Sequence, residues 1–175
     1  MIETTCEDRR FPDALADVAR VEFDYDDGDG VDFEPYDDFD SAEETTDWIR
    51  HWTGDHELDG GVFRVFGQDG AGGRVALWCV RDGRSLAEQP LVFLGSEGER
   101  GVVAGNLSDF LWVLADGFGP MEAALDPEDD PRPDAALAEL AERHATTPRR
   151  TAREIVTEAQ AEFPTFSDDL DRLCR

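Results

Sequence analysis

Apolar residues recur along the chain with two periods, and the switches between them mark the elements. From Phe11 to about Val21, Leu15, Val18 and Ala19 stand at helical spacing, with Pro12 suited to a first turn. Ser41-Ala42-Glu43-Glu44 matches a capping box, in which the Ser oxygen accepts from the backbone N–H three residues on and the Glu reaches back. It predicts a helix that carries Trp48, Ile49 and Trp52 inward and stops at Gly54. The period then shortens. Val62, Phe63, Val65 and Phe66 predict a strand, the glycine-rich run 67–73 a turn, and the nearly continuous apolar run Val75 to Val80 a second strand. Two such strands about a Gly-rich loop read as an antiparallel hairpin. Leu91–Leu94 behind Pro90, and Gly101–Ala104, predict two more strands, joined by the turn Gly95-Ser96-Glu97-Gly98-Glu99.

Asn106 then predicts an N-cap. Leu107, Phe110, Leu111 and Leu114 follow at i, i+3, i+4 and i+7, with Asp109 in the first turn where the helix dipole favours it. Gly117 predicts the end of that helix, and Gly119-Pro120 a block to its extension. Asp126 to Pro133 is a Pro/acid linker. Beyond it, Leu137 and Leu140 predict a helix from Asp134 to about His144. Ile155, Val156, Ala159 and Phe163 predict another, from about Thr147 or Pro148 to Phe163.

Composition adds size and charge. The 175 residues are 40% hydrophobic with 11 Phe and 4 Trp, enough for a buried core. Against 42 Asp plus Glu stand 16 basic residues, all Arg, for a net charge of −26. That surface repels nucleic acid and anionic membrane, and it attracts basic partners and speeds their encounter. A high-G+C genome or adaptation to high salt produces the same composition, so the charge speaks to association rather than to fold. Residues 22–47 hold 13 acids and no base, yet Phe33, Pro35, Tyr36 and Phe39 are threaded between them, which predicts a segment pinned to the core.

Candidate chemistry is sparse. Cys6, Cys79 and Cys174 are odd in number and widely spaced, which predicts reduced thiols and a cytoplasmic protein. Met1 to Thr5 has no basic flank or apolar stretch of a signal peptide, and no run reaches the roughly 20 apolar residues of a membrane helix. The run 67–73 lacks the Gly-Lys-Ser/Thr end of a phosphate loop and joins strands, so it predicts a hairpin turn. The acids from Asp24 to Asp32 do not fit a calcium loop, because the required Gly and terminal Glu are missing. His51 and His56 are not spaced on one helix face, so no zinc site is expected. No Gly-x-Ser-x-Gly elbow is present, and among 42 acids a paired-carboxylate hydrolase site carries no distinguishing mark. These readings predict no catalytic residue, no metal and no cofactor.

The block from Gly61 to Ala123 is the most specific part of the chain. Phe63-Arg64-Val65-Phe66-Gly67, Ala76-Leu77-Trp78, Gln89-Pro90-Leu91-Val92-Phe93-Leu94-Gly95 and Asn106 to Gly117 follow in order. Phe33-Glu34-Pro35-Tyr36, Trp48 and Trp52 lie upstream. In order and spacing this resembles the SUKH superfamily, which includes yeast cell-wall-synthesis regulators and many bacterial immunity proteins. The resemblance covers about residues 11–124. It implies an α+β fold with a curved, mainly antiparallel sheet of about four or more strands packed against helices. It divides the chain into a domain at 1–124, the linker 125–133 and a C-terminal helical extension at 134–175. It also implies protein binding without catalysis, as in immunity proteins that neutralise a cognate toxin domain, often a nuclease. The expected partner is a basic toxin domain, with neither nucleic acid nor membrane bound; a regulatory scaffold with a housekeeping partner is the alternative. The acidic aromatic segment Tyr36, Asp37, Asp38, Phe39 and Asp40 is the first candidate surface, with Asp69, Glu97 and Glu99 second. Aromatics anchor and charges steer such contacts, although Tyr36 and Phe39 would serve equally as core anchors.

Overall fold

The computed structural model describes residues 8–24 and 30–174. Cys6, the 1–5 terminus and the Asp26 to Asp29 part of the acidic loop lie outside the described residues. The fold is α+β, with a five-stranded antiparallel open sheet and seven helices among the described residues. The strands are β1 (Glu34–Pro35), β2 (Phe63–Gln68), β3 (Arg74–Trp78), β4 (Leu91–Leu94) and β5 (Arg100–Ala104), paired in chain order. The helices are α1 (Asp13–Val18), α2 (Ala42–Thr53), α3 (Leu107–Ala115), α4 (Pro120–Leu125), α5 (Ala135–His144), α6 (Ala152–Glu162) and α7 (Phe166–Leu173). A short 3-10 turn at Leu86–Glu88 leads into β4.

The strands read as nearly unbroken apolar runs because both faces of the sheet contribute to an apolar core. Side chains alternate across a strand. Leu91 and Phe93 therefore enter one core, while Val92 and Leu94 enter the other. Val75 and Leu77 divide from Ala76 in the same way. The larger core gathers Phe33, Phe66, Phe110 and the buried face of α3, with Phe33, Phe66 and Phe110 stacked edge to face at 5.6–6.2 Å. In α3 every residue except Ser108 is buried, so this helix is enclosed on nearly all sides and sits inside the fold. Its Asn106 cap accepts from the Asp109 N–H at 2.8 Å.

β2 carries a bulge between Val65 and Gly67. A Cβ at Gly67 would stand 2.6 Å from the Phe33 ring, so only glycine lets β1 and Phe33 close on the strand. The capping box at Ser41 and Glu44 is formed, and Gly54 ends α2 with φ 74°.

Four features differ from the sequence expectation. Gly119-Pro120 stops α3 but also opens α4, because a proline at the first helical position loses no hydrogen bond there. A third C-terminal helix, α7, follows Pro164, and its eight residues are too few for a clear period. The two-residue strand β1 sits within the acidic segment, held by pairing with Gln68 and Gly67. Cys79 is disulfide-bonded, contrary to the expectation of free thiols, while Cys174 is free and exposed. Pairing between remote cysteines leaves no spacing signal.

The segment 134–174 shares both cores with the sheet. Leu137, Leu140, Ala141, Ile155 and Val156 join the larger core, and Ala159, Phe166 and Leu170 the smaller. Asp109, 4% exposed, ties this segment to α3. It accepts from the Thr147 hydroxyl at 2.8 Å and pairs with Arg150 at 2.8 Å.

Candidate protein-binding face

The smaller core lies on the sheet face crossed by α2 and α7, and it is incompletely covered. Ile49, Phe63, Val65, Ala76, Val92 and Leu94 are buried there, but Tyr36, Trp48, Trp52, Leu58, Trp78 and Phe163 around them are only half-buried. On α2 the spacing explains why. Thr45, Ile49 and Thr53 form the buried stripe, four residues apart. Glu44, Trp48 and Trp52 form the neighbouring stripe, turned partly to solvent.

A row of four polar residues interrupted by Leu94 crosses this face. The register sets Glu34 opposite Gln68, Gln68 opposite Arg74, Arg74 opposite Leu94 and Leu94 opposite Arg100. Opposite residues share a face, so the row runs over all five strands beside the smaller core. The Tyr36 hydroxyl and Arg74 Nη1 both donate to Gln68 Oε1, at 2.8 and 2.7 Å, and Gln68 Nε2 donates to Glu34 at 2.7 Å. Arg74 Nε is buried without an acceptor among the described residues. At the far end the Arg100 guanidinium stands 5.4 Å over the Trp52 ring and pairs with Asp171 at 2.6 Å. The Trp52 indole N–H donates to the Gly95 carbonyl at 2.8 Å.

The electrostatics are unbalanced. Burial pushes the Asp40 carboxyl above its usual range, the Glu44 charge adds to the shift, and Arg74 opposes it. Burial likewise raises the Tyr36 hydroxyl, with Asp40, Glu34 and Glu44 acting in the same direction and Arg74 against them. Three carboxylates thus bear on one aromatic ring, with Arg74 as the compensating cation.

The surface residues expected from sequence divide between this face and the interior. Tyr36 and Asp40 lie on the face, partly exposed. Asp37 and Asp38 are exposed, and Asp38 accepts from the Phe39 N–H at 2.8 Å. Phe39 turns instead to the larger core, edge to face with Phe11 at 4.9 Å. Asp69 is 1% exposed, and its carboxylate accepts from the Ala71 and Gly73 N–H groups, closing the hairpin turn. Glu97 is exposed and Glu99 accepts from the Glu97 N–H at 3.0 Å; their turn reaches the face through the Gly95 bond to Trp52. The sequence reading did not single out Glu44, Trp48, Trp52, Gln68 or Arg74 as surface. The four-residue spacing of Glu44, Trp48 and Trp52 was the available signal.

No known protein family, curated protein or solved structure matches the chain. Among the described residues no helix is long and apolar enough to cross a membrane. Nor do any three His, Cys, Asp or Glu side chains gather in a way that could hold a metal ion there. A cleft of about 590 Å³ lies between α1, the 3-10 turn and the start of α3. Its polar groups are engaged with one another: Arg81 with Glu162, His144 with Asp17, and Ser108 with Thr146. The half-covered sheet face is therefore the better candidate site.

Proposed function

We propose that this chain is a non-enzymatic protein-binding protein of the SUKH type, an immunity protein that neutralises a basic toxin domain. The observation that carries the reading is the sheet face where Tyr36, Trp48, Trp52 and Trp78 are half-buried, with the carboxylates Glu34, Asp40 and Glu44 bearing on Tyr36. Half-buried aromatics supply contact area with little side-chain entropy left to lose, and surrounding charge sets partner choice and on-rate. A net charge of −26 suits a basic partner and disfavours nucleic acid and anionic membrane. Inhibition by occlusion needs only a tight complex, so no catalytic residue enters the mechanism.

Action in the cytoplasm belongs to the same proposal. The disulfide at Cys79 weighs against a strongly reducing compartment. Thiol counting on protein taken from its native cell tests that part. For the function, a toxin domain encoded beside this chain is expressed with and without it. Restored growth and a salt-sensitive complex are expected; unrelieved toxicity, with both proteins present and folded, sinks the immunity reading.

A further inference from the structure

The half-covered face offers more than a general affinity for basic proteins. Trp52 and Trp112 place their indole N–H groups on the Gly95 and Thr147 carbonyls, whereas those of Trp48 and Trp78 have no acceptor among the described residues. Arg74 has no carboxylate within ion-pair distance among the described residues, and its Nη1 is held by Gln68 and Gly72. Asp40 and Glu44 both bear on Tyr36, and among the described residues neither has a salt-bridging cation. Glu44 spends one oxygen on the Ser41 N–H of the capping box. The other end of the same helix shows an ion-paired arrangement, a guanidinium lying over Trp52 and paired with Asp171.

We propose that the Tyr36–Trp48 end of this face docks a cationic segment of the partner protein, placing an Arg or Lys against Asp40 and Glu44 and apolar side chains over Tyr36 and Trp48. The inference rests on the protein-binding reading and names its surface. Charge complementarity selects the occupant. The rim is Glu34, Asp40 and Glu44, and a second copy of a chain with net charge −26 would bring like charge to it. A partner guanidinium there repeats the stacking and pairing of Arg100 with Trp52 and Asp171. It also relieves the mutual repulsion of Asp40 and Glu44.

The probe is a synthetic amphipathic peptide of Arg and Leu, with deca-arginine as the charge-only comparison. Binding is read by tryptophan fluorescence and titration at low and high salt. Asp40→Asn with Glu44→Gln is expected to weaken the amphipathic peptide about tenfold, the equivalent of about 1.4 kcal/mol. The Gln keeps the capping box. Asp129→Asn with Asp130→Asn, an equal change of charge on the exposed linker, is expected to weaken it less than about twofold, since the linker lies off the face. Trp48→Ala weakens binding and Trp48→Phe restores most of it. Equal losses from the two charge pairs, or deca-arginine bound as tightly as the amphipathic peptide, would overturn the proposal in favour of unspecific attraction. If a toxin is neutralised but neither Asp40→Asn with Glu44→Gln nor Trp48→Ala alters the complex, this surface is wrong and the function stands. If peptide binding follows the expected pattern and no toxin is neutralised, the surface stands and the immunity reading falls.

Discussion

The two faces of the sheet are built from the same strands and end in different states. One is closed by α1, α3, α4 and α5, and its aromatics, Phe33, Phe66 and Phe110, are at most 3% exposed. The other carries α2, α7 and part of α6, and its aromatics Tyr36, Trp48, Trp52, Trp78 and Phe163 keep part of their surface in water. On the closed face burial is complete, so each large side chain contributes about 1.5–3 kcal/mol. On the open face carboxylates stand beside aromatics, and Asp40 is held in a site that disfavours its charge. The open face thus gives up stability that the closed face keeps, which is what the proposed partner surface rests on.

The largest effect expected of any single change tests the closed face. Phe110→Ala removes the ring shared by Phe33 and Phe66 and costs about 3–5 kcal/mol in a denaturant titration. Trp48→Ala costs less despite the larger side chain, because part of that ring is already solvated. Equal losses would abolish the distinction between the faces. Next in size is Ser41→Ala, which removes the cap of α2 and costs about 1 kcal/mol. The same change should loosen amide protection in α2 while leaving α3 unaffected, as read by hydrogen exchange.

Smaller effects come from single carboxylates, with opposite signs. Asp40 has a raised folded pKa, so its ionised form destabilises the fold above the unfolded pKa, and stability is regained as pH falls through the folded value. Asp40→Asn should therefore raise the midpoint of thermal unfolding at pH 7 slightly while weakening peptide binding. An unchanged or lower midpoint would show that the site does not penalise the charge. Asp17 behaves in reverse. Its hydrogen bond to His144, 2.6 Å away, holds its pKa below the usual range. The stability this gives is present above the unfolded pKa and lost as pH falls through the folded one. Asp17→Asn should be less stable than the parent at pH 6 and converge with it in strong acid, as followed by thermal unfolding against pH.

Most elements were legible because their signals are local. The Ser41 box, the Asn106 cap, the Gly54 stop and four of the five strands follow from residues within a turn or two of each other. What was not legible depends on distant contacts. Trp48 and Trp52 carry the apolar mark of core residues, and nothing local says that α2 would leave them half in water. Asp69 carries the mark of a surface acid, and only the fold of the loop shows its carboxylate caught by Ala71 and Gly73.

The chain's own pattern therefore determined most of the helices and strands in their order, with an antiparallel hairpin about the glycine-rich turn, under an excess of negative charge; the α+β class was what the resemblance implied. Periodicity, capping and turn chemistry are short-range properties, and charge is a sum over residues. Only the tertiary structure decided that 134–174 fills both cores, that Glu34, Gln68, Arg74, Leu94 and Arg100 line up across five strands, and that one face stays partly open. Coverage and register depend on which remote surfaces meet, and burial belongs to the pair in contact rather than to either residue alone.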